Sequence, residues 1–231
     1  MKKWETGFVW SGVLLMLFVA ITTLVMKVDV RQIGPLESEV GLATINQFFF
    51  ERLGVNVVFY TITDWLGIVA ILQAVGFGVL GAAQWVKRRS LLKVDPDILL
   101  LGGVYLVVMV LYTVFEIMIV NYRPILLTEQ LEASFPSTHT MVVLCIMGTG
   151  MEQIRKRVVK QPIRLMAKGL SLIIIGVTVL GRLLAGVHWV ADIAAGVLLG
   201  SALVLFYSSA VTLLDEQKGR TWGDSNDEKL T

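Results

Sequence analysis

The sequence predicts an all-α protein, a bundle of six transmembrane helices with both termini cytoplasmic, and three observations carry that prediction. Hydrophobic residues make up 55% of the 231 positions, charged residues only 16%, and the mean hydropathy is +0.74, well away from a soluble domain. A spanning helix needs about 20 largely apolar residues, and such runs stand at roughly 7–26, 64–86, 98–121, 138–154, 166–187 and 189–213. Fifteen of the twenty lysines and arginines then fall on one side, among them Lys2, Lys3, Lys87, Lys93, Arg155 to Lys168 and the tail's Lys218, Arg220 and Lys229. Because such residues stay cytoplasmic, that side is the inner one.

Taken in order, the first run opens after Met1-Lys2-Lys3-Trp4 like a signal peptide. Its uncharged core is long and no Ala-x-Ala-like site follows, so it reads as a retained anchor. In the loop at 28–53, Leu42, Ile45, Phe48, Phe49 and Leu53 recur at helical spacing and predict an interfacial helix over Val40 to Leu53. Residues 53–86 carry no charge except Asp64, which is expected to cap the second span near the outer surface; the competing expectation is an ionisable group in a transport path. Trp4 and Trp85 are assigned to the inner aromatic belt, Trp65 and Trp189 to the outer one. Residues 121–137 read as a short polar outer loop, and Cys145 as a small buried hydrophobe with no disulfide partner. The membrane domain is set at 1–214, and the charged residues 215–231 as a disordered cytoplasmic tail. The basic inner loops set orientation rather than bind nucleic acid.

This topology collects the unusual polar residues at the outer ends of four helices: Arg123, Ser137 to His139, Arg182, and His188 with Asp192. On a helix His188 and Asp192 would share a face, so the carboxylate could fix the imidazole tautomer and free the other nitrogen. Arg123 and Arg182 offer forked donors that suit phosphoryl oxygens, and Ser137, Thr138 and the amides opening the fourth helix form an anion seat. Singly, each has a plainer role: an interfacial arginine snorkels, a Ser or Thr caps a helix, a histidine satisfies a core. Together on one membrane face, with both histidines of the chain included, they point to phosphoryl transfer.

The residues Glu116-x6-Arg123-Pro124, Pro136-Ser137-Thr138-His139 and Gly181-Arg182-x5-His188-x3-Asp192, with Ala194-Ala-Gly196 downstream, resemble the three signatures of the type 2 phosphatidic acid phosphatase superfamily of membrane lipid phosphatases. Those signatures are Lys-x6-Arg-Pro, Pro-Ser-Gly-His and Ser-Arg-x5-His-x3-Asp. The resemblance implies that His188 attacks phosphorus to form a phosphohistidine, that Asp192 holds and polarises it, and that His139 protonates the leaving group and then activates water. Arg123, Arg182, Ser137 and Thr138 would hold the phosphoryl oxygens, with no metal and no cofactor.

Three positions depart from the signatures: Glu116 for lysine, Thr138 for glycine and Gly181 for serine. Glu116 is expected either to pair with Arg123 or Arg182 or remain protonated, or else to alter substrate choice or mark lost turnover. The expected activity is hydrolysis of a lipid phosphate or diphosphate, of the polyprenyl diphosphate, phosphatidylglycerophosphate or phosphatidic acid type, at the extracytoplasmic face of a cell membrane. A lipid phosphotransferase and a non-catalytic lipid-phosphate-binding relative are the alternatives.

Overall fold

In the computed structural model, which describes residues 2–227 and side chains through Lys218, helices dominate. They are α1 (Lys3–Lys27), α2 (Ala43–Leu53), α3 (Val57–Arg88), α4 (Pro96–Ile117), α5 (Thr138–Arg157), α6 (Gln161–Leu184) and α7 (Val190–Asp227). Among the described residues five of these, α1, α3, α4, α6 and α7, are long and apolar enough to cross a bilayer. Their large apolar side chains, such as Leu72 and Val79 on α3 and Ile173 and Leu180 on α6, face outward. That is inverted relative to a water-soluble core, and suits a hydrocarbon solvent.

The predicted fourth span, α5, is 20 residues long but carries His139, Thr140, Thr149, Glu152 and Gln153. The physical reason is its position: α3, α4, α6 and α7 all pack against it, so much of its surface meets protein instead of lipid, and polar side chains find partners there. At its end away from the histidines, Asp97 of α4 pairs with Arg157 Nη1 at 2.8 Å and accepts from Gln153 Nε2 at 3.2 Å. Tyr207 of α7 donates its hydroxyl to the Asp97 carbonyl at 3.1 Å, so one buried polar clasp joins α4, α5 and α7.

Helix α7 packs along both α1 and α5. Phe18 of α1 meets Phe115 of α4 edge-on and stacks on Phe135, with centroids 5.8 and 6.3 Å apart, over a core that includes Met141, Cys145, Ala195 and Leu199. The helix continues through Asp227, past the expected domain end at 214. Residues 228–231 of the expected tail lie outside the described residues.

At the histidine end the loops are more structured than the sequence predicts. The interfacial segment forms α2, three residues shorter at its start than expected, and it is preceded by a small antiparallel hairpin of β1 (Arg31–Gln32) and β2 (Glu39–Val40). Asp29 fastens the two together: its Oδ2 accepts from the Thr44 amide at 2.6 Å and its Oδ1 pairs with Arg31 at 2.9 Å. The Thr44 amide, more than any other contact, holds that carboxyl below its ordinary range.

Two expectations fail here. Asp64 is no cap, because α3 begins seven residues earlier, where Asn56 Oδ1 accepts from the Val58 and Phe59 amides at 3.0 and 3.4 Å. Trp189 is no belt residue either. It is only 2% exposed, packs against Phe50 with centroids 5.4 Å apart, and donates its indole N–H to the Tyr122 carbonyl at 2.8 Å.

Candidate active site

Four helix ends meet here, and each is fixed by local chemistry. The segment between α4 and α5 folds back on itself: a bridge pairs Tyr122 with Ala133, the Arg123 amide donates to the Glu132 carbonyl at 3.1 Å, and the Ser134 amide to the Asn121 carbonyl at 2.9 Å. This places Arg123 and Ser134 on facing segments of the same loop. Asn46 of α2 reaches in from the other side, its Oδ1 accepting from the Ala191 amide at 3.1 Å while its own amide donates to the Gly41 carbonyl at 2.8 Å.

The turn from α6 to α7 depends on Gly186, whose φ of +68° is left-handed and whose missing side chain leaves room for the Gly54 carbonyl. His188 follows in that turn, before α7 begins at Val190, so the one-turn helical relation to Asp192 does not arise. Instead the His188 Nδ1 lies 3.0 Å from the Ser134 carbonyl and 3.8 Å from Asp192 Oδ2. A carbonyl only accepts, so Nδ1 carries the proton and Nε2 keeps its lone pair. Ser134, which the sequence reading missed, therefore makes the close contact that fixes the tautomer, while Asp192 faces the same ring nitrogen from further off. Asp192 Oδ2 is used by the Trp189 amide at 2.9 Å, the acidic half of an N-terminal cap.

The free Nε2 of His188 faces Arg123 Nη1 at 3.4 Å. Burial of this ring, which is 4% exposed, lowers its pKa from the ordinary imidazole value; the Asp192 carboxylate opposes that effect, and Arg123 and Arg182 reinforce it. A neutral, oriented imidazole with its lone pair beside a guanidinium is thereby assembled.

Ser137 couples the second histidine to the first. Its amide donates to the Asp192 carbonyl at 2.9 Å, and the absence of a side chain at Gly196 lets α7 approach the Ser137 carbonyl, which would lie 2.7 Å from a Cβ there. The Ser137 hydroxyl turns inward to Thr140 Oγ1 at 3.0 Å, so it is a packing contact and not a side-chain donor to the seat. The amides of Thr138, His139 and Thr140, in the first turn of α5, lack intrahelical partners as any helix start does. His139 is close enough to Arg182, His188 and Arg123 for their charges to act on it.

Arg182 is 3% exposed, sits over the Tyr60 ring at 5.1 Å, and donates through Nη2 to Asp64 Oδ1 at 2.7 Å. Its Nε and Nη1 have no protein acceptor, an unusual condition for buried donors. Asp64 Oδ1 also lies 3.5 Å from His139 Nε2. Asp64 is thus part of this constellation, and the sequence signal for it was its isolation in an otherwise uncharged span. Arg123 pairs with Glu132 at 3.1 Å, a second carboxylate that the sequence reading did not single out.

Glu116 is brought to neither arginine. It lies next to the last residue of α4, is exposed, and pairs with none of the described residues. The expected seven-residue helical projection onto Arg123 fails because α4 stops at Ile117. Gly181 has a structural cause: a Cβ there would stand 2.6 Å from Thr63 Cγ2 of α3, so the crossing of α3 and α6 leaves no room for the serine of the family signature.

Residues 97–215 match the family model described as the PAP2 superfamily. The fold is similar to that of a solved transmembrane PAP2-type phosphatidylglycerolphosphate phosphatase from Bacillus subtilis, at a TM-score of 0.63 and 19% identity, over 90% of this chain and 96% of that one. No curated protein matches the chain. The apolar helices and this transmembrane likeness together make it a multi-pass membrane protein.

Proposed function

This chain belongs to the PAP2 superfamily, and from that membership we propose that it is a membrane lipid phosphatase working through a phosphohistidine on His188. The observation that carries the proposal is the lone-pair Nε2 of His188 beside the Arg123 guanidinium, with the nearly buried Arg182, close enough for its charge to act on the same ring, keeping two donors that no protein acceptor satisfies. Such donors suit a tetrahedral oxyanion.

In the proposed cycle, a phosphoryl group settles between Arg123, Arg182 and the α5 amides. His188 Nε2 attacks phosphorus, the bond to the lipid oxygen breaks, and His139 gives that oxygen a proton. Water then attacks the phosphohistidine while His139 takes its proton, releasing phosphate and restoring Nε2. Asp192, 3.8 Å from Nδ1, supplies negative charge as the ring becomes cationic. The cations proposed to meet the phosphoryl group are Arg123 and Arg182, and the reaction is proposed to need no metal.

We take α5 as the fourth of six spans, with both termini cytoplasmic and the histidines at the outer face, on the strength of the basic-residue asymmetry. A lipid substrate of the phosphatidylglycerophosphate, phosphatidic acid or polyprenyl diphosphate type follows from a site at the ends of apolar helices, where a long tail can stay in hydrocarbon. The test is a phosphate-release screen over these lipids, with and without chelator, combined with a labelled-phosphate trap. Release unaffected by chelator, and an acid-labile, alkali-stable phosphoenzyme lost in His188→Ala, would support the assignment. Transfer of label to a lipid or sugar acceptor would indicate a phosphotransferase, and no turnover of any lipid a binding protein.

A further inference from the structure

At the end of the bundle away from the histidines, α6 lies close along α5 but only brushes α7. A cavity of about 460 Å³ opens between the three helices. Gly148, Met151, Ile154, Leu165, Val204 and Tyr207 give it an apolar floor, and Arg155, Arg164 and Lys168 give it a basic rim. Glu152, the one carboxylate on its lining, is engaged by Arg155 through both oxygens. The Arg164 and Lys168 side chains, one helical turn apart on α6, have no acceptor among the described residues. The rim therefore holds two uncompensated positive charges above a greasy wall.

Positive residues that merely set topology can point into water. Arg164 is instead half-buried against the cavity wall, and Lys168, exposed at the cavity rim, lies further along α6, toward its apolar stretch. We propose that this cavity is a lipid site, separate from the catalytic centre, that binds the phosphodiester of an anionic phospholipid in the leaflet opposite the active site. Arg164 and Lys168 hold the phosphate, and an acyl chain lies along Leu165 and Val204. Basic pockets between spanning helices have the charge and shape for such head groups. A soluble phosphate would use only the rim and leave the apolar floor wet, so the lipid is the better-matched occupant.

The probe is a photoactivatable phosphatidylglycerol, a phosphodiester that the proposed hydrolase has no monoester to remove from. Full-length protein in phosphatidylcholine nanodiscs carrying this probe is irradiated and the labelled peptides are mapped. Labelling is expected at residues 148–168 of α5 and α6. The Arg164→Gln/Lys168→Gln variant should lower it by about tenfold or more, given roughly 1 kcal/mol per basic residue near a charged lipid, while labelling elsewhere and lipid phosphatase turnover per molecule change little. Arg164→Lys, which keeps the charge, should keep most of the labelling and serves if the double variant does not fold. Equal labelling of wild type and charge-removed protein, or labelling abolished by millimolar inorganic phosphate, would overturn the proposal.

Discussion

Arg182 of α6 donates to Asp64 of α3 across 2.7 Å, and the same carboxylate oxygen stands 3.5 Å from His139 of α5. One acidic side chain thus links a buried guanidinium and an imidazole from three different helices. Replacing it should disturb both at once. Asp64→Asn keeps the shape and removes the charge, so turnover is expected to fall by roughly tenfold, below the ~100-fold scale of losing a general acid outright. The half-exposed carboxylate limits the stability cost to about 1 kcal/mol. Steady-state kinetics beside a thermal melt separate the effects; unchanged turnover would reduce Asp64 to a packing contact.

The geometry of His188 makes a different claim about Asp192. In a triad where the carboxylate alone fixes the tautomer, Asp-to-Asn costs about 10⁴ in turnover. Here the Ser134 carbonyl at 3.0 Å does that, and Asp192 acts from 3.8 Å. Asp192→Asn should therefore cost only about 10- to 100-fold. A loss as large as that of His188→Ala would show that the carboxylate moves onto Nδ1 during the reaction.

The acid limb of the pH profile follows from the same ring. Burial holds the His188 pKa below its ordinary value, with Arg123 and Arg182 acting in the same direction and Asp192 against it. Attack needs neutral Nε2, so activity should persist below pH 6.5 and decline only as pH falls through the lowered pKa. Removing the Asp192 charge takes away the one raising influence, and the limb should move further toward acid in Asp192→Asn. Profiles of kcat/KM for the two proteins check the sign, and a shift toward alkali would contradict it.

Much of this clustering was legible in the sequence, because the alternation of hydrophobic runs brings the helix ends that carry Arg123, His139, Arg182 and His188 to one end of the bundle, where the structure places them near one another. What was not legible depends on where helices stop. Glu116 projected onto Arg123 only if α4 continued, and it ends at Ile117. Asp64 read as a cap only if α3 began there, and it begins at Val57. Ser134 and Glu132 enter through the Tyr122–Ala133 bridge, a pairing between loop residues with no periodic signal.

Glu116 yields a prediction that follows from its exposure. With no partner among the described residues, Glu116→Gln removes no contact from the arginine cradle. Turnover should remain within about twofold of wild type, the scale of an exposed substitution of ~0.5 kcal/mol. Loss of more than tenfold, measured on the lipid that the screen identifies, would place the carboxylate on the substrate head group.

Gly181 and Thr63 offer a paired test of how the α3–α6 crossing sets the cradle. A Cβ at 181 would meet Thr63 Cγ2 at 2.6 Å, inside any normal contact, and both positions are buried. Gly181→Ser, which restores the family's residue, should therefore destabilise the protein by about 1–3 kcal/mol through overpacking and displace the adjacent Arg182. Thr63→Ser deletes the offending methyl and keeps the hydroxyl that bonds the Phe59 and Tyr60 carbonyls. The double variant should recover most of the stability and activity that the single change loses, giving a coupling of at least ~0.5 kcal/mol in a double-mutant cycle. Strict additivity would mean that α6 relieves the clash by moving elsewhere, and that the glycine is not held by this crossing.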